Sequence, residues 1–206
     1  MNIKLYPCFE HWKQFNNIWI YSDPHFNDPD SQFFRKNYPG DLEQVKRINN
    51  KVGRKDLIIF LGDIGDINFI KQVKGYKVLV QGNHDAGASA YQRKQESFVD
   101  TDTGKTIIQD NKLFNEVYEG PIIINEKIIL SHEYLDIPYF YNIYGHHHNK
   151  LKNSQGFNCC AEHLNYTPIS LKAIIESGEL KHITSIHRLT IDSATERKKK
   201  RLKKGG

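Results

Sequence analysis

The chain has 206 residues, 29 Lys+Arg against 24 Asp+Glu, and a formal charge of +5. Charged residues at 26% and hydrophobic ones at 38% exclude a fully disordered chain, and the length suits one domain whose core needs no disulfide framework. The three cysteines form no CxxC, no leader-like segment opens the sequence, and no apolar run approaches the ~20 residues of a membrane span, so a cytoplasmic location without membrane contact is expected.

Apolar runs bounded by turn residues predict buried strands at 18–21, 57–61, 78–80, 122–124 and 128–130. The last two flank Asn125-Glu126-Lys127, which predicts a hairpin. Helical spacing over 41–52 puts Leu42, Val45 and Ile48 on one face, with Asp41 placed to cap the start. The polar stretch 86–111 has weak periodicity and reads as a loop or short helix of the kind that sets specificity. Tyr134, Tyr139, Phe140, Tyr141 and Tyr144 form an aromatic group that either stacks on a base or sugar or packs under a loop. Cys159, Cys160 and Glu162 fall on a late strand, with Glu162 near a cleft. A second helix is expected over 170–177, capped by Ser170 and stopped by Gly178, and strand-like stretches follow near 182–186 and 188–191.

Residues 193–206 then carry seven basic side chains (Arg197, Lys198, Lys199, Lys200, Arg201, Lys203 and Lys204) against one acid, Glu196. The remaining 22 basic and 23 acidic groups leave residues 1–192 close to neutral. One domain over 1–192 and a disordered basic tail over 193–206 are expected, with any contact to nucleic acid a salt-weakened tether through the tail. Strands alternating with helices, then a strand-rich second half, predict an α/β sandwich with mixed sheets.

Five apolar runs end in metal-ligand residue types: Ser22-Asp23-Pro24-His25, Gly62-Asp63-Ile64-Gly65-Asp66, Gly82-Asn83-His84-Asp85, Ser131-His132-Glu133 and Gly145-His146-His147-His148. The carboxyl ends of strands are where ligands bind in open α/β sheets, so these clusters can converge on one site. Carboxylate, imidazole and amide oxygen together suit Mn²⁺, Fe or Zn²⁺ better than Ca²⁺. In extended backbone, residues i and i+2 point the same way, which lets Asp23 and His25 reach one ion, and likewise His146 and His148, with His147 facing away.

These clusters, in this order, resemble the DxH, GDxxD, GNHD, lone-His and GHxH motifs of the calcineurin-like metallophosphoesterases. The resemblance covers about residues 18–177, closing on Tyr166-Thr167-Pro168-Ile169-Ser170-Leu171. It implies an αββα sandwich of two mixed β-sheets between helices and a hydrolase of phosphate esters with two divalent metal ions. Mn²⁺ is expected, with Fe, Zn, Ni or Co as alternatives. One ion is implied on Asp23, His25, Asp63 and His148, the other on Asp63, Asn83, His132 and His146, with Asp63 bridging. A bridging hydroxide would attack phosphorus in line, His84 would serve as general acid, and Asp85 would orient or tune His84. Asp66 either supports the site or caps a short helix at 67–73.

Departures from the family's branches narrow the reading. No Arg follows Asp66, no HGG occurs, and His84 stands where the smallest phosphodiesterases often carry Cys. A small phosphodiesterase is expected, acting on a phosphate ester that includes nucleotides; a phosphomonoesterase or small nuclease of the same fold is the alternative, and a non-catalytic binding module the remote one. Oligomeric state is unreadable from sequence.

Overall fold

A computed structural model of the chain describes residues 6–85, 94–99, 106–111, 113–149 and 155–204. In chain order the elements are α1 (Pro7–Trp12), β1 (Ile18–Tyr21), α2 (Ser31–Phe34), α3 (Asp41–Lys51), β2 (Leu57–Phe60), β3 (Tyr76–Val80), β4 (Lys94–Val99), β5 (Thr106–Asn111), β6 (Glu116–Tyr118), β7 (Ile122–Ile123), β8 (Ile128–Leu130), β9 (Tyr141–Tyr144), β10 (Gly156–Asn158), β11 (Ile169–Ser170), α4 (Leu171–Glu176) and α5 (Ile186–Lys204).

A five-stranded sheet runs β11-β1-β2-β3-β6, parallel except at β11, and a four-stranded sheet runs β10-β9-β8-β7, parallel except at β7. This is the expected α/β architecture with two mixed sheets. Period-2 alternation along β2 divides the core. Leu57, Ile59 and Leu61 meet Val78, Val80, Ile128, Leu130 and Ile143 between the sheets, joined by Trp12 of α1 and by Leu171 and Ile174 of α4. Ile58 and Phe60 face the other way, against Val45, Ile48 and Val52 along α3. Each fully buried aliphatic side chain of this kind contributes about 1.5–3 kcal/mol, so β2 anchors both layers.

The 125–127 turn closes β7 and β8 in antiparallel register, pairing Ile122 with Leu130 and Ile123 with Ile129. Ser170 accepts the Ala173 amide at 3.1 Å, and Gly178 ends that region in a left-handed conformation. Five expectations need correction. Leu42 is 69% exposed, because α3 turns Gln44, Val45 and Ile48 inward instead. Gly40 occupies the cap of α3 with no side-chain bond, while Asp41 accepts from the Tyr38 hydroxyl and the Asn27 amide. The stretch 86–111 contains an antiparallel ribbon, Lys94 pairing with Asn111 through Val99 with Thr106, rather than a helix; residues 86–93 and 100–105 lie outside the described residues. The strand-like stretches near 182–186 and 188–191 are a short 3-10 turn, Glu179–His182, followed by α5, which also takes in the tail expected to be disordered. Ser185 starts that helix by accepting the His187 amide, and an Arg188–Asp192 pair at helical spacing supports it.

Candidate metal centre

The parallel strands β1, β2, β3, β8 and β9 deliver their carboxyl ends to one rim shared by both sheets. Backbone bonds lock these ends together: Asp23 N–H donates to Gly62 O at 3.1 Å and Gly145 N–H to His132 O at 2.8 Å. Two glycines permit the close approach. A Cβ at Gly82 would lie 2.3 Å from Asp63 Oδ1, and one at Gly145 would lie 1.9 Å from Ser22 Oγ and 2.3 Å from Asp23 Oδ2. The loops turn so sharply that Asp23, His25, Asp63 and His146 all hold left-handed φ angles of 54°, 44°, 52° and 65°. Strain of this kind persists where the surroundings over-determine it, as functional sites do.

Seven side chains expected from sequence gather into two adjoining sets. In the first, Asp23 Oδ1 lies 3.9 Å from His25 Nε2 and 3.8 Å from His148 Nε2. In the second, His132 Nε2 lies 2.8 Å from Asn83 Oδ1, 3.1 Å from His146 Nδ1 and 3.4 Å from Asp63 Oδ2. Asp63 Oδ2 is also 3.7 Å from His25 Nε2, so this one oxygen faces both sets. His146 and His148 therefore separate, contrary to the i, i+2 expectation, because the left-handed turn at His146 breaks the strand period: His148 groups with Asp23 and His25, and His146 with Asp63 and His132.

The donor chemistry fits divalent cations. Asp23 is fully buried, and its Oδ1 has no hydrogen-bond donor among the described residues although two imidazole nitrogens face it. A buried carboxylate oxygen left in that state is costly unless a cation completes it. His132 Nδ1 meets Leu61 O at 2.7 Å, the carbonyl contact that fixes a ligating imidazole's other nitrogen toward the metal. Burial lowers His25, favouring the neutral ring that ligates.

Without metal, a proton partly fills the cation's place. Burial opposes protonation of His132, but the Asp63 hydrogen bond and the Asp23 and Asp63 charges raise it from 6.5 to about 9. Burial would also raise Asp63, but the His132 hydrogen bond and charge and the His84 amide lower it from 3.8 to about 2. The His132 contribution to stability is complete below 6.5 and lost as pH rises through about 9; the Asp63 contribution is complete above 3.8 and lost as pH falls through about 2. Chelator-treated protein is expected to melt at falling temperature from pH 6.5 to 9, a decline that His132→Gln removes; a flat profile in the unsubstituted protein contradicts this geometry.

The flanking residues sort as follows. His84 is exposed; its amide donates to Asp63 Oδ1 at 3.0 Å and its ring lies 5.9 Å from that of His25. The Asp85 carboxylate accepts from the Gly82, Asp63 and Ile64 amides at 2.8, 3.0 and 2.9 Å, tying the turn that carries His84 to the loop that carries Asp63. Asp66 accepts both the amide and side-chain nitrogen of Asn68 at 2.9 Å, which suits its turn-forming role. His147 packs against Tyr144, with its ring 5.3 Å from that of His146, and belongs to neither donor set. Phe140, Tyr141 and Tyr144 are buried, so packing accounts for most of the aromatic group.

Two participants escape the sequence reading. The Cys160 thiol donates to Asp23 Oδ2 at 3.3 Å, and burial raises that thiol well above its usual range, which keeps it a neutral donor. Arg35 donates to Glu162 and to the carbonyls of Asp23 and Pro24, yet it sits in a polar stretch with no spacing signal. Glu162, placed near the cleft by sequence, directly contacts His148 Nδ1 at 2.9 Å.

A family model described as calcineurin-like phosphoesterase matches residues 17–202. The chain belongs to that family. The match extends through most of α5, beyond the motif-bearing region 18–177. Comparison with curated proteins finds no match. Among solved structures the chain is similar to a protein of unknown function from Aquifex aeolicus, with 21% identity and a TM-score of 0.57 over 78% of this chain and 98% of that one. At that identity the likeness concerns the fold alone. Membership of the calcineurin-like phosphoesterases, together with the donor sets, supports a metal-dependent phosphoesterase acting on a phosphate ester. Among the described residues no helix is long and apolar enough to cross a membrane.

Proposed function

We propose that this chain is a dinuclear metal-dependent phosphodiesterase. The observation that carries the reading is the Asp63 carboxylate oxygen facing both donor sets, beside a buried Asp23 oxygen that lacks a donor among the described residues. Asp23, His25, Asp63 and His148 would hold one cation, and Asp63, Asn83, His132 and His146 the other. When bound, such cations supply Lewis-acid polarisation of phosphoryl oxygens and a water activated near neutral pH.

The chain's own groups account for the rest. Asp85 holds the Asn83-His84 turn against the Asp63 loop through three amide bonds, a positioning role exerted through the backbone. That leaves the His84 ring exposed beside His25, where its imidazolium can give a proton to the departing alkoxide oxygen. The balance of charge favours a diester. Among the described residues, the arginine beside the donor sets, Arg35, is already engaged by Glu162 and two backbone carbonyls rather than offered to a second phosphate charge.

Chromogenic diester and monoester substrates compared with Mn²⁺, with and without chelator, test this. Faster, chelator-sensitive diester turnover is expected, and His84→Ala is expected to keep its metal while losing about 10²–10⁴-fold in turnover. Absence of turnover with each of Mn²⁺, Ni²⁺, Co²⁺ and Zn²⁺ sinks the enzymatic reading, and a faster monoester reaction sinks the diester preference.

A further inference from the structure

Arg35 and Glu162 form a buried ion pair behind the first donor set, their side chains 6% and 9% exposed. They come from distant parts of the chain, Arg35 just after α2 and Glu162 beyond β10. Such pairs are expensive to bury, and in some proteins their hydrogen bonds specify a geometry. Here those bonds converge on one place. Arg35 Nη1 donates to Pro24 O at 2.8 Å and Nη2 to Asp23 O at 2.6 Å, which grips the backbone between the two left-handed residues Asp23 and His25. Glu162 Oε1 accepts from Arg35 Nε and meets His148 Nδ1 at 2.9 Å.

A carboxylate accepting at Nδ1 fixes that nitrogen as the one bearing hydrogen, which leaves the lone pair of a neutral ring on Nε2. His148 Nε2 is the atom 3.8 Å from Asp23 Oδ1. Asp23, His25 and His148, the donors particular to the first set, are thus all steadied by one ion pair, whereas Asn83, His132 and His146 of the second set are steadied by other contacts, among them Leu61 O and the Asp23 carboxylate. His148 is also the most exposed of these imidazoles outside His84, at 42%, so it has the greatest freedom to turn away if Glu162 is removed.

We propose that Glu162 and Arg35 are positioning residues for the first cation alone. Glu162 orients His148, and Arg35 locks Glu162 to the Asp23–His25 loop. This rests on the two-cation reading above and adds that the two sites can be uncoupled.

Calorimetric titration with Mn²⁺, alongside thermal melting of the metal-free protein, tests the proposal. The unsubstituted chain is expected to take two ions. Glu162→Ala is expected to take one ion with unchanged affinity and the other with about 10–100-fold weaker affinity, the usual cost of removing a group that orients a ligand. Glu162→Gln keeps an acceptor oxygen for Nδ1–H and is expected to fall between the two, which also covers the case in which Glu162→Ala does not fold. Arg35→Lys, which keeps the charge but loses the forked donation, is expected to weaken the same ion. Two ions bound with full affinity by a folded Glu162→Ala or Glu162→Gln overturns the proposal. So does equal weakening of both ions. An unsubstituted chain that takes fewer than two ions instead overturns the dinuclear reading on which the proposal stands.

Discussion

Asp63→Ala is expected to remove metal and turnover together. The carboxylate is nearly fully buried and has no spare oxygen: Oδ1 accepts the His84 amide at 3.0 Å, while Oδ2 faces His132 at 3.4 Å and His25 at 3.7 Å. Its loss deprives both proposed cation sites of an anionic ligand and frees the turn that carries His84. The expected loss of turnover exceeds the ~10²–10³-fold that follows removal of a single oriented donor. Asp63→Asn preserves shape and an acceptor for the amide, so it separates charge from packing and is expected to be nearly as inactive. Metal content measured on the purified variants decides the matter: full occupancy in Asp63→Ala breaks the bridging assignment.

Gly145→Ala is expected to cost the largest amount of stability for one added carbon. The new Cβ would fall 1.9 Å from Ser22 Oγ and 2.7 Å from Ser22 Cβ. Ser22 cannot swing aside freely, because it is fully buried and donates to Leu61 O at 2.7 Å. Asp23 Oδ2, 2.3 Å from the same point, is held by the His146 amide at 2.9 Å. The backbone must therefore shift, at about 3 kcal/mol, the upper end for overpacking. For a chain of this size that lowers the melting temperature by about 6–12 °C. Weakened Mn²⁺ binding is expected alongside, since Asp23 moves with Ser22. A variant that melts with the unsubstituted protein shows that the two strand ends are not packed this tightly.

The five strand ends that carry ligand-type residues were legible in the sequence because each combines an apolar run, whose periodicity is local, with residue types that have few other reasons to follow one. Ser170 and Gly178 were legible for the same reason, since cap and stop act within a turn. What stayed hidden is tertiary. Arg35 and Glu162 meet across 127 residues, and neither neighbourhood carries a pattern that announces the other. The strand period failed at His146 because a left-handed residue resets the direction of the next side chain. Residues 188–191 alternate polar and apolar types as a strand does, but they continue into Ala, Glu, Lys, Arg and Leu, all good helix formers, and helix prevails over the whole of α5. Leu42 has the right spacing for the core, yet α3 meets the sheet through the neighbouring stripe.

The left-handed turns at Asp23, His25, Asp63 and His146 have a consequence for the cell as well as for chemistry. Conformations of this kind cost about 1–2 kcal/mol per residue, and nothing in the packing of a simpler sheet would require them. On the proposed ligand assignment, an ion bound at a concentration about 100 times its dissociation constant returns about 2.7 kcal/mol to the folded state. The heat resistance of this protein would then follow the free divalent ion around it. Withdrawing that ion would loosen the rim of both sheets as well as silence the site, and the unloaded chain would be the one most readily cleared.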